Sequence, residues 1–461
     1  MPAPDKPLYY LSIDEAQRLI QNRELSPIEL TRSVLERIAA TDGKLHAFIN
    51  LMAERATREA RMAEAEILSG NWRGPLHGIP IAVKDQLDVE GAPARIRQFT
   101  QGVGDATAVR KLREAGAIML GKLHMSSLPD ADLPLPRNPW NTEHITGGSS
   151  TGSGAAVSAG LCLGSLGEDT AGSIRNPSAF CGIAGLKATY GRVSRYGLAP
   201  LSWSLDHCGP MARVVEDTAH VLQAIAGYDA KDPTSSDVPV AEYASALRED
   251  VKGMVVGVPR DYISDCAPRT ESIVLKLVGK AIDELASLGA RVEEVKVPTL
   301  HLATIANAVI YYNEFWAAHK SDAAWVLKNG AAQRRARIYL GILTNSADYI
   351  QAQRVRSRVR AEFAEVFKRV DCLALPCQAG PAPLVKDVGP IDTLFKHVVP
   401  EYHGPFNLAG LPTLSVPCGF SENNLPIALQ LVGRPFDELT ILRAGYTYQQ
   451  HMRWFEKTPP I

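Results

Sequence analysis

The chain has 461 residues, 49 of them Lys or Arg and 50 Asp or Glu, with a net charge of −1. That balance excludes a polybasic surface built for nucleic acid or anionic membrane, and 46% hydrophobic content permits a large buried core. The opening MPAPDKPLYY lacks a basic n-region and an apolar stretch, and no window reaches roughly eighteen uninterrupted apolar residues, so neither signal peptide nor spanning helix is expected. The seven cysteines are scattered, and Cys372 and Cys377 lack a second pair, so they read as reduced, mostly buried thiols of a cytoplasmic protein.

Taken in chain order, Ser12 with Glu15 three residues on reads as a capping box. Ser26-Pro27-Ile28-Glu29 repeats the device, and Leu30, Val34, Leu35 and Ile38 recur at helical spacing, which predicts a helix over 27–40. Residues 51–69, rich in Ala, Glu and Arg, predict another. The texture changes at 76. LHGIPIAVKD predicts a buried strand, AIMLGK at 117–122 a second, and ATAVRKLREAGA between them an amphipathic helix, an α/β unit. Residues 145–215 are poor in long side chains, yet Val157, Leu161, Leu163, Ile174, Phe180, Ile183 and Leu186 are interleaved there. That pattern suits a core of close-approaching backbones better than a linker.

A further unit follows: MVVGVPRD a strand, ESIVLKLVGKAIDELASLGA a helix, RVEEVKV a strand. Residues 300–370 read as helical, with Tyr311, Tyr312, Phe315, Trp316 and Trp325 as core, and DCLALPC and LPTLSVPCGF as closing buried strands. The expected organisation is an N-terminal helical segment, 1–72, packed on one α/β domain, 73–461, with a largely helical insert at about 300–370.

Three chemical patterns fit poorly. Gly148-Ser149-Ser150-Thr151-Gly152 matches G-x-S-x-G, but no apolar strand precedes it, and His397, His403 and His451 carry no local signature. The same run lacks the Gly-Lys-Ser/Thr of a phosphate loop, because Ala155 follows Gly154. The eleven histidines form no H-E-x-x-H and no close pair, so no metal is expected, and His207 reads as satisfied by local backbone.

Lys84 stands at the end of an apolar strand, where a charged lysine must be paired or neutral. An ion pair with Asp85 or a charge that snorkels to water, and a role as neutral general base, are all open on spacing alone. A lysine base needs a hydroxyl relay, and two Gly-flanked serines, Ser149 and Ser173, are at hand. The low-bulk turn Thr170-Ala171-Gly172-Ser173 offers successive N–H groups as an oxyanion nest, which places the nucleophile at Ser173 and the relay at Ser149.

Lys84, GGSS at Ser149 and DTAGSIR at Ser173, with the serines 24 apart, resemble the Ser–cisSer–Lys triad of the amidase signature family. PLHGIPIAVKD, RNPWN, FCGIAGLKATYGRVSRYG, SLDHCGPMARVVEDTAHVL, FNLAGLPTLSVPCGF and LQLVGRPFDE extend the resemblance over about residues 10–455. It implies a large mixed, twisted β-sheet covered on both faces by helices. It also implies an acylated Ser173, a bridging Ser149 after a cis Gly148–Ser149 bond, and Lys84 as base. The amides of Thr170, Ala171, Gly172 and Ser173 would form the oxyanion hole, with Ser150, Asp169 and Arg175 in support. Arg175 is expected to pair with Asp169. The implied reaction is amide C–N hydrolysis through an acyl-enzyme without cofactor, on a small-molecule amide, ester or carbamate. Many relatives are dimers, so a homodimer is allowed.

The chain departs from the family's usual GSDTGGSIR-PA by Glu168, by Ala171 and by NPSA after Arg175. Ala171 is tolerable only with a negative φ. KLHMSSLPDADLPLPRNPWN and DVEGAPARIRQF also depart, which places Met125, Ser126 and Leu128 at the pocket mouth. These departures lead to the expectation of an open, apolar cleft for aryl or bulky amides, with urethanase or esterase activity. They speak against one alternative, a glutaminase subunit of an amidotransferase, and the full triad speaks against the other, a non-catalytic scaffold.

Overall fold

The computed structural model describes residues 6–94, 102–125, 133–248, 250–330, 332–389 and 401–461. Thirteen strands lie in these residues: β1 (Phe48–Leu51), β2 (Pro80–Lys84), β3 (Ile118–Leu123), β4 (Arg137–Asn138), β5 (Asn141–Ile145), β6 (Gly164–Asp169) and β7 (Ala184–Lys187). The others are β8 (His207–Ala212), β9 (Val255–Val258), β10 (Arg291–Glu294), β11 (Cys372–Pro376), β12 (Thr413–Phe420) and β13 (Pro426–Gly433). Eleven form one mixed sheet in the order β1-β3-β2-β6-β8-β7-β12-β13-β11-β9-β10, flanked by helices; β4 and β5 form a separate hairpin.

Both expected capping boxes are present, Ser12 with Glu15 and Ser26 with Glu29. The second opens a helix that runs Pro27–Leu45, five residues past the expected end. Ile38, Thr41 and Leu45 continue the buried stripe, and the helix stops where His46 turns left-handed at φ 55°.

Alternation along β11 shows how the sheet divides the core. Cys372 and Ala374 pack into one apolar cluster, and Leu373 and Leu375 into another, so the two clusters lie on opposite faces. The first cluster takes in the N-terminal helices and Ser272–Ser287; the second is built on Ala303–His319 and Ser346–Val366. Tyr311, Tyr312 and Phe315 belong to the second core, whereas Trp325 is 49% exposed and stands outside it. No helix among the described residues is long and apolar enough to cross a membrane.

The centre of the sheet sets the functional geometry. β3, β2 and β6 are parallel neighbours, so Lys84, the last residue of β2, and Glu168 and Asp169, the last of β6, share one edge. Carboxyl ends of parallel strands are where open α/β sheets bind ligands. β8 runs antiparallel to β6 and brings Cys208 opposite Glu168 and His207 opposite Asp169.

Candidate active site

Two short helices bring the serine runs to that edge. Ser149 lies in the turn before Thr151–Ser158, a helix of small, wholly buried residues, and Ser173 in the turn before Arg175–Cys181. The turns are laced together: Gly148 N–H donates to Asn176 Oδ1 at 3.0 Å and Ser150 N–H to Ser173 O at 3.2 Å. The Gly148–Ser149 peptide bond is cis. Ser149 and Ser173 are half-buried, so both stay within reach of a ligand, whereas Lys84 is fully buried beneath them. Lys84 Nζ donates to Ser149 Oγ at 2.9 Å.

The ion pair considered between Lys84 and Asp85 does not form. Asp85, the first residue of the turn after β2, lies 2.9 Å from Lys122 on β3. Lys84 pairs instead with Glu168, Nζ to Oε2 at 2.8 Å, and both side chains are fully buried. Glu168 was visible in the sequence as a departure from the family pattern. Its role was not, because the pairing depends on the β2–β6 register.

The Ser173 turn is organised by Asp169. Its carboxylate accepts from Gly172 N–H at 2.7 Å, from Ile174 N–H at 3.1 Å and from the Arg175 guanidinium. Burial works to raise the Asp169 pKa, but the Arg175 charge and hydrogen bonds hold the carboxyl well below its ordinary value. The Gly172 amide is therefore already bound, which removes it from the four-member oxyanion nest expected from the sequence. Ala171 is not among the residues with positive φ, so the methyl is accommodated. Gly172 does need to be glycine: its φ is 106°, and a Cβ there would lie 2.6 Å from His403 Cγ. Asn407 and Gln430, from the late FNLAG and LQLVG stretches, complete the support by accepting from Arg175. No signal in the sequence marked them as partners of Arg175.

Ser150 is fully buried, and its hydroxyl donates to Glu168 O at 3.3 Å, so it cannot serve as an elbow nucleophile. His207 contacts the backbone carbonyls of Leu205 and Asp169, and burial, with the Lys187 charge, lowers its pKa well below the ordinary value. All seven cysteines are free and buried. Of the expected mouth residues, Met125 is half-buried after β3, while Ser126 and Leu128 lie outside the described residues, as does His397.

A family profile described as Amidase matches residues 29–442. The chain belongs to the amidase family. A glutamyl-tRNA(Gln) amidotransferase subunit of Moorella thermoacetica is 41% identical across 98% of this chain and 99% of its own. A structure of an inhibitor-bound vestigial protein complex, bearing on the origins of an s-triazine catabolic enzyme, superposes with a TM-score of 0.88 at 30% identity, covering 96% of this chain and 99% of that one. Native peptide amidase from Stenotrophomonas maltophilia gives 0.81 at 29% identity, with 99% of both chains covered. This amidase is thus a hydrolase of the amidase signature type, with the fold that the motif resemblance implied.

Proposed function

We propose that this amidase cleaves carboxamide C–N bonds through an acyl-enzyme on Ser173, and that the amide it serves is that of glutamine or a similar primary carboxamide. The reading rests on one contact, the 2.9 Å hydrogen bond from Lys84 Nζ to Ser149 Oγ beneath the half-buried Ser173. A neutral Lys84 takes the Ser149 proton while Ser149 takes that of Ser173, whose oxygen attacks the carbonyl. Amides of the Thr170–Ser173 turn other than Gly172 hold the oxyanion. The leaving amine recovers a proton through Ser149, and water then attacks the ester by the same relay. The extended identity to a glutamyl-tRNA(Gln) amidotransferase polypeptide supports the glutamine substrate and a partner protein that receives the ammonia.

A second reading keeps the chemistry and changes the substrate to aryl or bulky amides, esters or carbamates, with a free-standing enzyme or homodimer. It is favoured by the aromatic second core, whose Tyr311 comes within electrostatic reach of Glu168 and Asp206, and by the likeness to a peptide amidase.

The purified chain is assayed on L-glutamine and on one aryl acyl scaffold presented as amide, ester and carbamate, with Ser173→Ala and Lys84→Ala alongside. Ammonia from glutamine that vanishes in both variants supports the first reading. Turnover confined to the aryl compounds supports the second. Activity surviving in Ser173→Ala overturns both.

A further inference from the structure

Glu168 is the group that the acyl-enzyme scheme leaves unused, and it touches the base. Its Oε2 lies 2.8 Å from Lys84 Nζ; its Oε1 lies 2.5 Å from Thr170 Oγ1. The Thr170 hydroxyl is also 2.8 Å from Asp206 Oδ1. A hydroxyl carries one proton and donates once. The second contact needs a carboxylic O–H directed at the Thr170 oxygen, so Glu168 and Asp206 together hold one proton. The Lys84 ammonium 2.8 Å from Glu168 Oε2 favours the charge on Glu168 and leaves the proton on Asp206, in keeping with burial and the Glu168 charge, which push Asp206 up to about 8. Glu168 then faces Lys84 as a carboxylate, and the buried cluster of ammonium, carboxylate and carboxylic acid is neutral overall.

That count constrains the base. An ammonium cannot accept the Ser149 proton. Release of the Lys84 proton to water would leave Glu168 as a buried, uncompensated carboxylate, which is strongly unfavourable. Transfer to Glu168 Oε2 carries no such penalty. One ammonium N–H bond breaks, one O–H bond forms on Oε2, and the ion pair becomes an amine beside a carboxylic acid with the total charge unchanged.

We propose that Glu168 is a positioning residue for the proton relay: its carboxylate takes the Lys84 proton, leaves the amine free to accept from Ser149, and so sets the pH range in which Ser173 is reactive. This deepens the acyl-enzyme reading and rests on it. The other titratable groups facing Glu168 come from three directions. Cys208 stands opposite on β8, its thiol pushed up to about 12 by burial and then by the Glu168 charge. Asp206 precedes β8, within the influence of Arg195. Tyr311 reaches in from Ala303–His319, its hydroxyl pKa raised chiefly by burial. Among the described residues, Lys84 is the cation in direct contact with Glu168.

The test is the rate at which a fluorophosphonate serine probe labels Ser173 as a function of pH, in wild type, Glu168→Gln and Glu168→Ser, with thermal midpoints measured in parallel. In wild type the proton stays inside the pair while Asp206 keeps its own, so the rate varies less than about threefold between about pH 5 and 7, below the Asp206 titration. Gln and Ser accept no proton from an ammonium. Both variants then acquire an acid limb, with labelling falling about tenfold per pH unit below the titration of an isolated buried lysine. Superimposed profiles overturn the inference, as does an acid limb that moves to lower pH on substitution, which would make Glu168 a simple counter-ion. A wild-type acid limb centred in the ordinary lysine range overturns it without reference to any variant, should both fail to fold. No labelling of wild-type Ser173 at any pH overturns the nucleophile, and the acyl-enzyme reading with it.

Discussion

Arg175 grips Asp169 with two parallel hydrogen bonds, Nε to Oδ2 and Nη2 to Oδ1, each 3.0 Å long and fully buried. The same carboxylate holds the amides of Gly172 and Ile174, so the ion pair fixes the backbone on both sides of Ser173. Arg175→Met fills similar volume but strands Asp169 as a lone buried charge. It is expected to lower stability by about 3–5 kcal/mol and to cut the Ser173 acylation rate more than it raises KM. Thermal unfolding with burst-phase kinetics checks both. Unchanged acylation in a destabilised protein would confine Arg175 to a folding role.

Gly172→Ala tests the turn from the other side. The strained φ and the approach to His403 act together, at a cost of about 1–3 kcal/mol for the backbone alone. The variant is expected to fold with a lower midpoint and a depressed kcat. Adding His403→Ala removes the steric contact and leaves the φ penalty, so the double variant should recover part of the midpoint. Full recovery would show that the clash, and not the backbone angle, demands glycine.

Asp206 makes a stability prediction with a definite sign. Its folded pKa of about 8 stands above the ordinary aspartate value of about 3.9, so the folded state binds the proton more tightly. That contribution is whole below about pH 4 and is lost as pH rises through about 8. Wild-type stability should therefore decline from pH 5 to pH 9, and Asp206→Asn should flatten the decline. The Asn oxygen can still accept from Leu201 and Ser202, whose amides donate to Asp206 Oδ2 at 2.8 and 3.0 Å. Parallel stability curves for the two proteins would show that Asp206 does not carry the proton.

Much of the fold was legible because its signals are local. Ser12 and Ser26 announce helices by capping, and PIAVK announces β2 by a short apolar run. The meeting of Lys84 with Ser149 was legible because motif order is one-dimensional. The pairing of Lys84 with Glu168 instead of Asp85 was not, since register across parallel strands is a long-range outcome. Asn407 and Gln430 were hidden for the same reason, each lying more than two hundred residues from Arg175. The loss of Gly172 from the expected oxyanion nest follows from a carboxylate three positions earlier, which could be seen in the sequence but not aimed.

The two substrate readings can be separated at Arg337. Its guanidinium lies 5.4 Å from the centre of the Tyr311 ring and 5.6 Å from that of Phe315, a cation held over aromatic faces. The pKa of the buried Tyr311 hydroxyl, raised first by burial, is lowered by Arg337 and raised by Glu168 and Asp206, so Tyr311 feels both this cation and the acidic pair. Glutamine carries a carboxylate that a simple aryl amide lacks. A charge-assisted hydrogen bond is worth about 1.5–3 kcal/mol, or about ten- to a hundredfold in affinity. Arg337→Ala is expected to raise KM for glutamine by that factor with kcat nearly unchanged, and to leave an uncharged aryl amide unaffected. Equal losses on both substrates would mean that Arg337 only supports Tyr311 by packing. No loss on either would place the substrate carboxylate elsewhere and withdraw the main reason to look for a glutamine clamp on this insert.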